Sequence, residues 1–495
     1  MGKIDYFSNR GINTNLAEKT INGGLFSIVI QAVLLVLHFI SLAILARILT
    51  PEAFGIVAMV TAFTNLAVLF SDMGLSTATI QGESIHKNEI SALFWLNFLI
   101  GILIVATLFF ISDAIAYFYD EPRLKEIVIL LSLGFLFGAL SIQHEALLRR
   151  HLFLVRVNIV HLLSAFFSVV VGVTLALIGW NYWALVWMTL SASLFRMLGM
   201  WLACNWIPSF QADFKAAYKL FKFGLNVTGF NFINYFSRNL DKIVIGKFAS
   251  AAALGEFSRV DQIALFPLRR INGPISFSVQ PALSRLQNEP DRYKEYYRNS
   301  LKSISFIGTP LVFFLFLMAD EVTLLILGPQ WTNASLLLQC LMPAALCGVT
   351  NVATGWVYNS LGHVNRQFRW GIYASIFLCL SILIGIYWGV VGVALAISIS
   401  RVIQKVPGLL YCYHGTFLKL KDFTEAFMPS LYLSLASITI VAIFKNLYFS
   451  DMDLWINLLT SFFVYGILYL LMIFFFLREF FNLIFSLIKN YGSRV

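Results

Sequence analysis

Charge is scarce in this chain: Asp, Glu, Lys and Arg together make up 12% of its 495 residues, about half the share in a soluble globular protein. A water-soluble fold is excluded on that ground. Cysteine is scarcer. The five, Cys204, Cys340, Cys347, Cys379 and Cys412, fall in or at the ends of apolar runs. They read as buried small residues and not as a disulfide framework or metal site. Long hydrophilic stretches are missing as well; no loop exceeds roughly 25 residues, too short for a soluble catalytic or nucleotide-binding domain. The chain has no G-x-x-x-x-G-K-[ST] phosphate loop, so ATP hydrolysis by that machinery is excluded. Ten-residue segments of alternating polarity are also absent, which excludes an outer-membrane barrel. Lys3, Arg10 and Lys19 precede the first apolar run without a small-residue cleavage site, so no cleaved signal peptide is expected.

Hydrophobic residues fill the space, at 59% of the chain. They form roughly 14 runs of membrane-spanning length. These lie near 21–46, 54–78, 90–112, 124–146, 153–178, 181–204, 217–243, 250–282, 300–319, 321–359, 366–388, 390–413, 424–447 and 454–477, the helix of the tenth being expected to start after Trp331. The expected fold is therefore an all-α polytopic membrane protein. The net charge of +10 could point to nucleic acid, but its distribution argues otherwise. Arg149, Arg150 and Arg156, then Lys215, Lys219 and Lys222, then Arg285 through Lys302 fall on one side of the expected spans. Asp113, Asp120, Glu121, Asp320, Glu321, Asp451 and Asp453 fall on the other. Basic loops stay cytoplasmic, so both termini are expected inside and no nucleic-acid partner is expected. The charged segment from Asp291 to Arg298 is expected as a short helix on the membrane surface. Trp180, Trp183, Trp206, Trp331, Trp388 and Trp455 sit at span ends and read as an interfacial belt.

A shift of 200 residues aligns Ile44–Gly55 with Val244–Gly255, matching Arg47 with Lys247 and Gly55 with Gly255. The same shift matches Gly24 with Gly224 and Ser76 with Ser276. These pieces fall on spans one to two and seven to eight, so the repeat unit is six helices. An even number keeps both copies in one orientation, related by a pseudo-two-fold axis along the membrane normal, with substrate between them. The expected organisation is a cytoplasmic segment 1–20, a six-helix bundle 21–204, a linker 205–216, a second bundle 217–413, two further helices 414–478 and a cytoplasmic tail 479–495.

The chemistry concentrates between Leu225 and Leu286. Asn231, Asn234, Arg238 and Asp241 share one face of span seven by their steps of three and four. Span eight carries Arg259, Asp261, Gln262, Arg269 and Arg270, and Pro267, Gly273 and Pro274 are expected to break its regularity. Charged groups at bilayer depth cost about 2.5–3.5 kcal/mol each on insertion scales, so they line a cavity or a partner helix. Arg238–Asp241 and Arg259–Asp261 also read as self-neutralising pairs. Arg269 and Arg270 have no acidic residue near them in sequence, and a cationic wall there invites an anionic ligand. Asp241 and Asp261 are candidate sites for a coupling cation, H+ or Na+, with permanent pairing to an arginine as the alternative. His38 coincides with Arg238 under the 200-residue shift and joins the candidate cavity; His161 reads as a core group and Asp72 as a helix-end residue. No catalytic or metal-ligand set is present in the pattern; Asp451-Met-Asp453 sits in a short outer loop that no nucleotide sugar would reach.

Ala46-Arg-Ile-Leu-Thr-Pro-Glu-Ala-Phe-Gly55 followed by Ser71-Asp-Met-Gly-Leu-Ser76 resembles the first-hairpin signature of bacterial polysaccharide flippases. Asp241-Lys-Ile-Val-Ile-Gly-Lys247, Leu254-Gly255 and Gln280-Pro-Ala-Leu-Ser-Arg-Leu-Gln287 resemble the second-half signature. The resemblance is to the lipopolysaccharide and colanic-acid exporter branch of the multidrug/oligosaccharidyl-lipid/polysaccharide exporter superfamily. It implies a V-shaped pair of six-helix bundles plus two C-terminal helices, working by alternating access in the bacterial inner membrane. The implied substrate is an oligosaccharide on undecaprenyl pyrophosphate, bound by cavity cations corresponding to Arg238, Arg259, Arg269 and Arg270, with Lys242 and His38 beside them. Membrane lipids and a polysaccharide polymerase machinery are the implied partners of a monomer that performs no covalent chemistry and needs no cofactor. A cation-coupled drug or metabolite exporter of the same fold, and a membrane-embedded glycan polymerase or ligase, are the competing readings.

Overall fold

The computed structural model describes Phe7 and residues 16–82, 85–210, 239–449 and 452–476, and every regular element among them is helical. Among the described residues, eleven stretches are long and apolar enough to cross a membrane. The expected window 217–243 falls mostly outside the described residues. The windows 366–388 and 390–413 form one continuous hairpin, Val364–Tyr413, and the window 250–282 is a helix too polar to qualify by hydropathy. Tertiary contacts divide the chain into two units, residues 1–255 and 256–495.

The first unit holds α1 (Leu16–Ile48), α2 (Pro51–Ser71), α3 (Leu75–Gln81), α4 (Lys87–Tyr119), α5 (Leu124–Arg150), α6 (Leu154–Leu177), α7 (Tyr182–Ala203) and a helical stretch 239–248. α5 is its hub, packing on α2, α3, α4, α6 and α7. Apolar side chains cover much of the outside as well as filling the core. Small and polar residues such as Ser91, Asn97, Ser132 and Ser141 are buried, while Phe110 and Leu202 are about four-fifths exposed. Buried hydroxyls return to their own helix, as Ser132 donates to the Ile129 carbonyl at 2.7 Å, because no water is available to satisfy them.

Asp72 ends α2 and accepts the Ser76 backbone N–H at 2.9 Å, the helix-end role expected of it. Trp206 departs from expectation. It is buried against His144 and Phe94, and its carbonyl meets His144 Nε2 at 3.1 Å. The start of the expected linker is pinned here: Trp95 donates to the Ser209 carbonyl, and the Ser209 N–H donates to Ser91 Oγ, both at 3.0 Å. In the loop between α4 and α5, Arg123 is paired with Glu121 and Glu52 at 2.7 Å. The hydrogen bonds from Arg123 hold the Glu121 carboxyl below the usual carboxylate range. That contribution to stability is present above the ordinary Glu range and is lost as pH falls through the lowered value.

The repeated segments take matching geometry. Thr50 Oγ1 caps α2 by accepting the Ala53 N–H, and Ser250 Oγ accepts the Ala253 N–H in the same way. Leu49 and Ala249 both close the preceding turn, onto Leu45 and Ile245 at 2.8 and 2.9 Å. The helices that follow, α2 and α8 (Ala251–Arg285), touch backbone to backbone at their starts. A methyl group on Gly55 would overlap the Ala251 carbonyl, and one on Gly255 would overlap the Pro51 carbonyl. The contact is reciprocal under the 200-residue shift, and only glycine permits it.

The second unit continues α8 and adds α9 (Pro290–Leu317), α10 (Ala319–Ile326), α11 (Ala334–Val349), α12 (Asn351–Ser360), α13 (Val364–Gly385), α14 (Gly389–Tyr413), α15 (Leu420–Phe444) and α16 (Leu454–Phe476). Here α9 is central, packed on α11, α15 and α16. The segment expected as a surface helix is instead the first turns of α9. Tyr293 and Tyr297 are fully buried, hydrogen-bonded at 2.6 Å to Ser360 and Tyr413. Alternate faces explain the misreading, since Arg298 of the same segment turns outward to Glu425 at 2.9 Å. Trp331, expected in the belt, is also buried, whereas Trp388 and Trp455 are exposed as belt residues are.

These contacts predict opposite outcomes for equivalent substitutions. Gly55→Ala and Gly255→Ala each lower stability by about 1–3 kcal/mol through backbone overlap. Gly138→Ala, where an added carbon meets nothing within 4 Å, is neutral or gains up to about 1 kcal/mol of helix propensity. Thermal unfolding of the detergent-purified variants measures both.

Candidate functional site

The helix break lies elsewhere than the sequence places it. α8 runs unbroken from Ala251 to Arg285 through Pro267 and Pro274. The interruption is between α11 and α12, where Thr350 leaves helical geometry at φ −102°, ψ 0°. α11 is already disturbed at Pro343, which lacks an N–H. One residue later, Ser398 of α14 inserts into the backbone ladder. Its hydroxyl accepts the Ala344 N–H at 3.3 Å and donates to the Cys340 carbonyl at 2.5 Å, the pair that an uninterrupted helix would join directly.

A break inside a membrane frees carbonyls that need donors. Lys405 of α14 supplies one: its Nζ donates to the Cys347 carbonyl at 3.3 Å and to Asn351 Oδ1 at 3.1 Å, and it lies over the Phe423 ring at 5.3 Å. Among the described residues no carboxylate comes within ion-pair distance of Lys405. From the other side, Asn272 of α8 donates to the Gly348 carbonyl at 3.5 Å, and Leu268 packs on Gly348. The junction at 347–351 is thus met by α8 and α14 together.

α8 and α11 run side by side in the same direction. Near their starts, the buried Glu256 carboxylate accepts the Asn333 N–H at 3.4 Å and the Asn333 side-chain amide at 3.0 Å, capping α11. Sixteen residues further along α8, Asn272 reaches Gly348. Glu256, one of the span-eight charges, therefore anchors the helix pair.

The sequence-selected residues divide between the units. In the first, His38 is half-buried with its ring edge-on to Phe39, and Asp241 and Lys242 are half-buried in the stretch 239–248, where Asp241 Oδ1 accepts the Lys242 N–H at 2.8 Å. Arg238 lies outside the described residues. In the second, Arg259 donates to Gln262 at 3.0 Å, one helical turn on, and Asp261 is half-buried between them. Arg269 and Arg270 lie on α8 within one turn of Asn272; their side chains are outside the described set. His161 meets Glu145 at 3.3 Å, a core pairing as expected.

Sequence reasoning missed Arg401 and Lys405. Both fall mid-span in α14, four residues apart on one face. Two cations at that spacing inside Gly389–Tyr413 carry the same signal that singled out span eight.

Glu256→Ala removes the acceptor at the start of α11 and lowers stability by about 1–3 kcal/mol, while Glu256→Gln, which keeps one acceptor, loses less than half of that. Parallel thermal melts in detergent read the difference.

Residues 44–336 match the polysaccharide biosynthesis protein family. Among curated relatives, the lipopolysaccharide biosynthesis protein WzxC of Escherichia coli is 23% identical over 399 residues, 79% of this chain and 80% of its own. The teichuronic acid biosynthesis protein TuaB of Bacillus subtilis is 24% identical over 428 residues, 85% of this chain and 88% of its own. Among solved structures, the lipid II flippase MurJ in an inward closed conformation superposes with a TM-score of 0.75 at 16% identity, covering 92% of this chain and 99% of that one. An inward-facing multidrug resistance MATE family transporter superposes at 0.63 and 14% identity, over 78% and 97%. At such identities the structural likeness establishes the fold.

Proposed function

The chain belongs to the polysaccharide biosynthesis protein family, within the exporter superfamily whose fold it shares, and we propose that it flips an undecaprenyl-pyrophosphate-linked oligosaccharide from the cytoplasmic to the periplasmic leaflet. The observation that carries this reading is a cation inside an apolar span held by neutral groups: Lys405 rests on a carbonyl, an amide and a ring, and among the described residues no carboxylate lies within ion-pair distance of it. A cation that no carboxylate neutralises is open to an anion that arrives. A pyrophosphate meets guanidinium groups through short charge-assisted bonds, strengthened where water is thin.

In this proposal two six-helix bundles, 21–204 and 217–413, enclose a central cavity and alternate in access, with 205–216 as the link and 414–478 as two added helices. Arg238, Arg259, Arg269 and Arg270 line the cavity, with Lys242 and His38 beside them. Arg401 and Lys405 join the set. Asp241 and Asp261 couple the cycle to H+ or Na+. Both termini face the cytoplasm, the protein works as a monomer in the inner membrane, and a glycan polymerase takes the product. The relatives' names attach them to different glycans, lipopolysaccharide and teichuronic acid, which supports recognition through a shared anionic anchor and not through one sugar. No bond is made or broken in the protein; binding energy acts only through its difference between the two facing states.

Arg269→Ala and Arg270→Ala, separately and together, cut surface glycan by about tenfold or more, the loss expected for one or more charge-assisted contacts. Membrane insertion stays normal. The check is glycan export in cells lacking the native copy, with protein level measured in the same membranes. Normal export by the double variant sinks the anion-cavity reading.

A further inference from the structure

One cavity in the second unit has no place in that cycle. It opens between α13 and α14, at the end of the hairpin opposite the Ile386–Trp388 turn, and has a volume of about 830 Å³. Arg366 and Arg369 enter it from the first turns of α13; Tyr411 and His414 enter it from the last turn of α14 and just beyond. Among the described residues no carboxylate lines it.

Its walls are built. Arg366 donates to the Tyr411 carbonyl at 2.6 Å and the His414 carbonyl at 2.5 Å, satisfying the end of α14, and its guanidinium lies 5.4 Å over the Tyr411 ring. Trp370 stacks on the same tyrosine at 5.6 Å and 29°. Gly408 makes room for that indole, since an added carbon would come within 2.9 Å of it. Arg369, one turn beyond Arg366, is exposed and makes no ion pair among the described residues.

Below the cations run two apolar stripes. On α13, Tyr373, Ile376 and Leu380 follow Arg369 at helical spacing, each more than half exposed. On α14, Leu410, Val406, Ile403 and Ile399 descend in parallel, each at least half exposed. From Arg369 to Leu380 and from Leu410 to Ile399 each run covers twelve residues, about 16 Å of helix, which is half of a hydrocarbon core about 30 Å thick. A basic, aromatic pocket at headgroup depth, continued by apolar tracks one leaflet long, has the dimensions of a single lipid.

We propose that this pocket holds the phosphate headgroup of an anionic glycerophospholipid from the bilayer, with its acyl chains along the two stripes. Arg369 and His414 grip the phosphate, Arg366 adds its fixed charge, and Trp370 and Tyr411 form the wall at the glycerol level. Basic pockets between membrane helices are suited to such headgroups. The inference stands whether or not the chain flips a glycan.

Native mass spectrometry of the purified full-length protein tests it, with phosphatidylglycerol and phosphatidylcholine of identical chains as probes. The wild type is expected to retain one phosphatidylglycerol in preference to phosphatidylcholine. In the Arg369→Ala/His414→Ala variant its affinity falls by about fivefold or more. Equal retention of the two lipids, or unchanged retention in the variant, overturns the proposal. Displacement by 10 mM inorganic phosphate (roughly physiological excess) also overturns it, by assigning the pocket to a free anion. A second readout does not depend on the double variant folding. Brominated phosphatidylglycerol should quench the fluorescence that wild type has and Trp370→Phe lacks, more than brominated phosphatidylcholine does. Equal quenching by the two lipids counts against the site.

Discussion

A carbonyl released from a helix inside a membrane has only other protein groups to turn to. Much of the second unit follows from meeting that demand at one place. Pro343 and the turn at Thr350 interrupt the helix that α11 and α12 would otherwise form, and three side chains from two neighbouring helices answer. Ser398 fills the ladder beside the proline, Lys405 takes the Cys347 carbonyl, and Asn272 takes that of Gly348. Each answer fixes a helix as well as a hydrogen bond. α14 is held in register by Ser398 and Lys405, and α8 by Asn272 at one end and Glu256 at the other.

Joining backbone repair to charge gives the seam its chemical character. A lysine that satisfies a carbonyl has no carboxylate beside it to cancel its field. The neutral partners of Lys405 orient it without cancelling its field, which is the condition for an electrostatic site in a medium of low dielectric. The first unit does not repeat this arrangement at the equivalent positions. Met59 stands where Arg259 does and is buried as a core residue, and Leu69 and Phe70 stand opposite Arg269 and Arg270. A duplicated scaffold has been given a one-sided charge.

Much of this was legible in the sequence, because the bilayer imposes a length and a polarity on every span. Most helix windows, the end of α2 at Asp72 and the start of α11 beyond Trp331 follow from that constraint. The 200-residue correspondence was legible too, and the paired caps at Thr50 and Ser250 give it a structural form. What hydropathy cannot show is which neighbour a polar group meets. Trp206 and Trp331 have the position of belt residues but fold inward, and Tyr293 and Tyr297 are buried within a charged segment. Prolines misled for the same reason: Pro267 and Pro274 sit in an unbroken helix, while the break falls where tertiary partners stand ready to receive it. Arg401 and Lys405 were within reach, since two cations four residues apart in an apolar span need only be noticed.

The contact between Gly55 and Gly255 involves no side chains from those two residues. Interlocked side chains must change rotamer before they part, and each such step adds a barrier. Two bare backbones meet through dispersion alone, and they meet in one register because the neighbouring carbonyls leave no room for a side chain. A larger residue on one side would spoil the fit of the other, so the two helix starts approach this closely only while both positions are glycine.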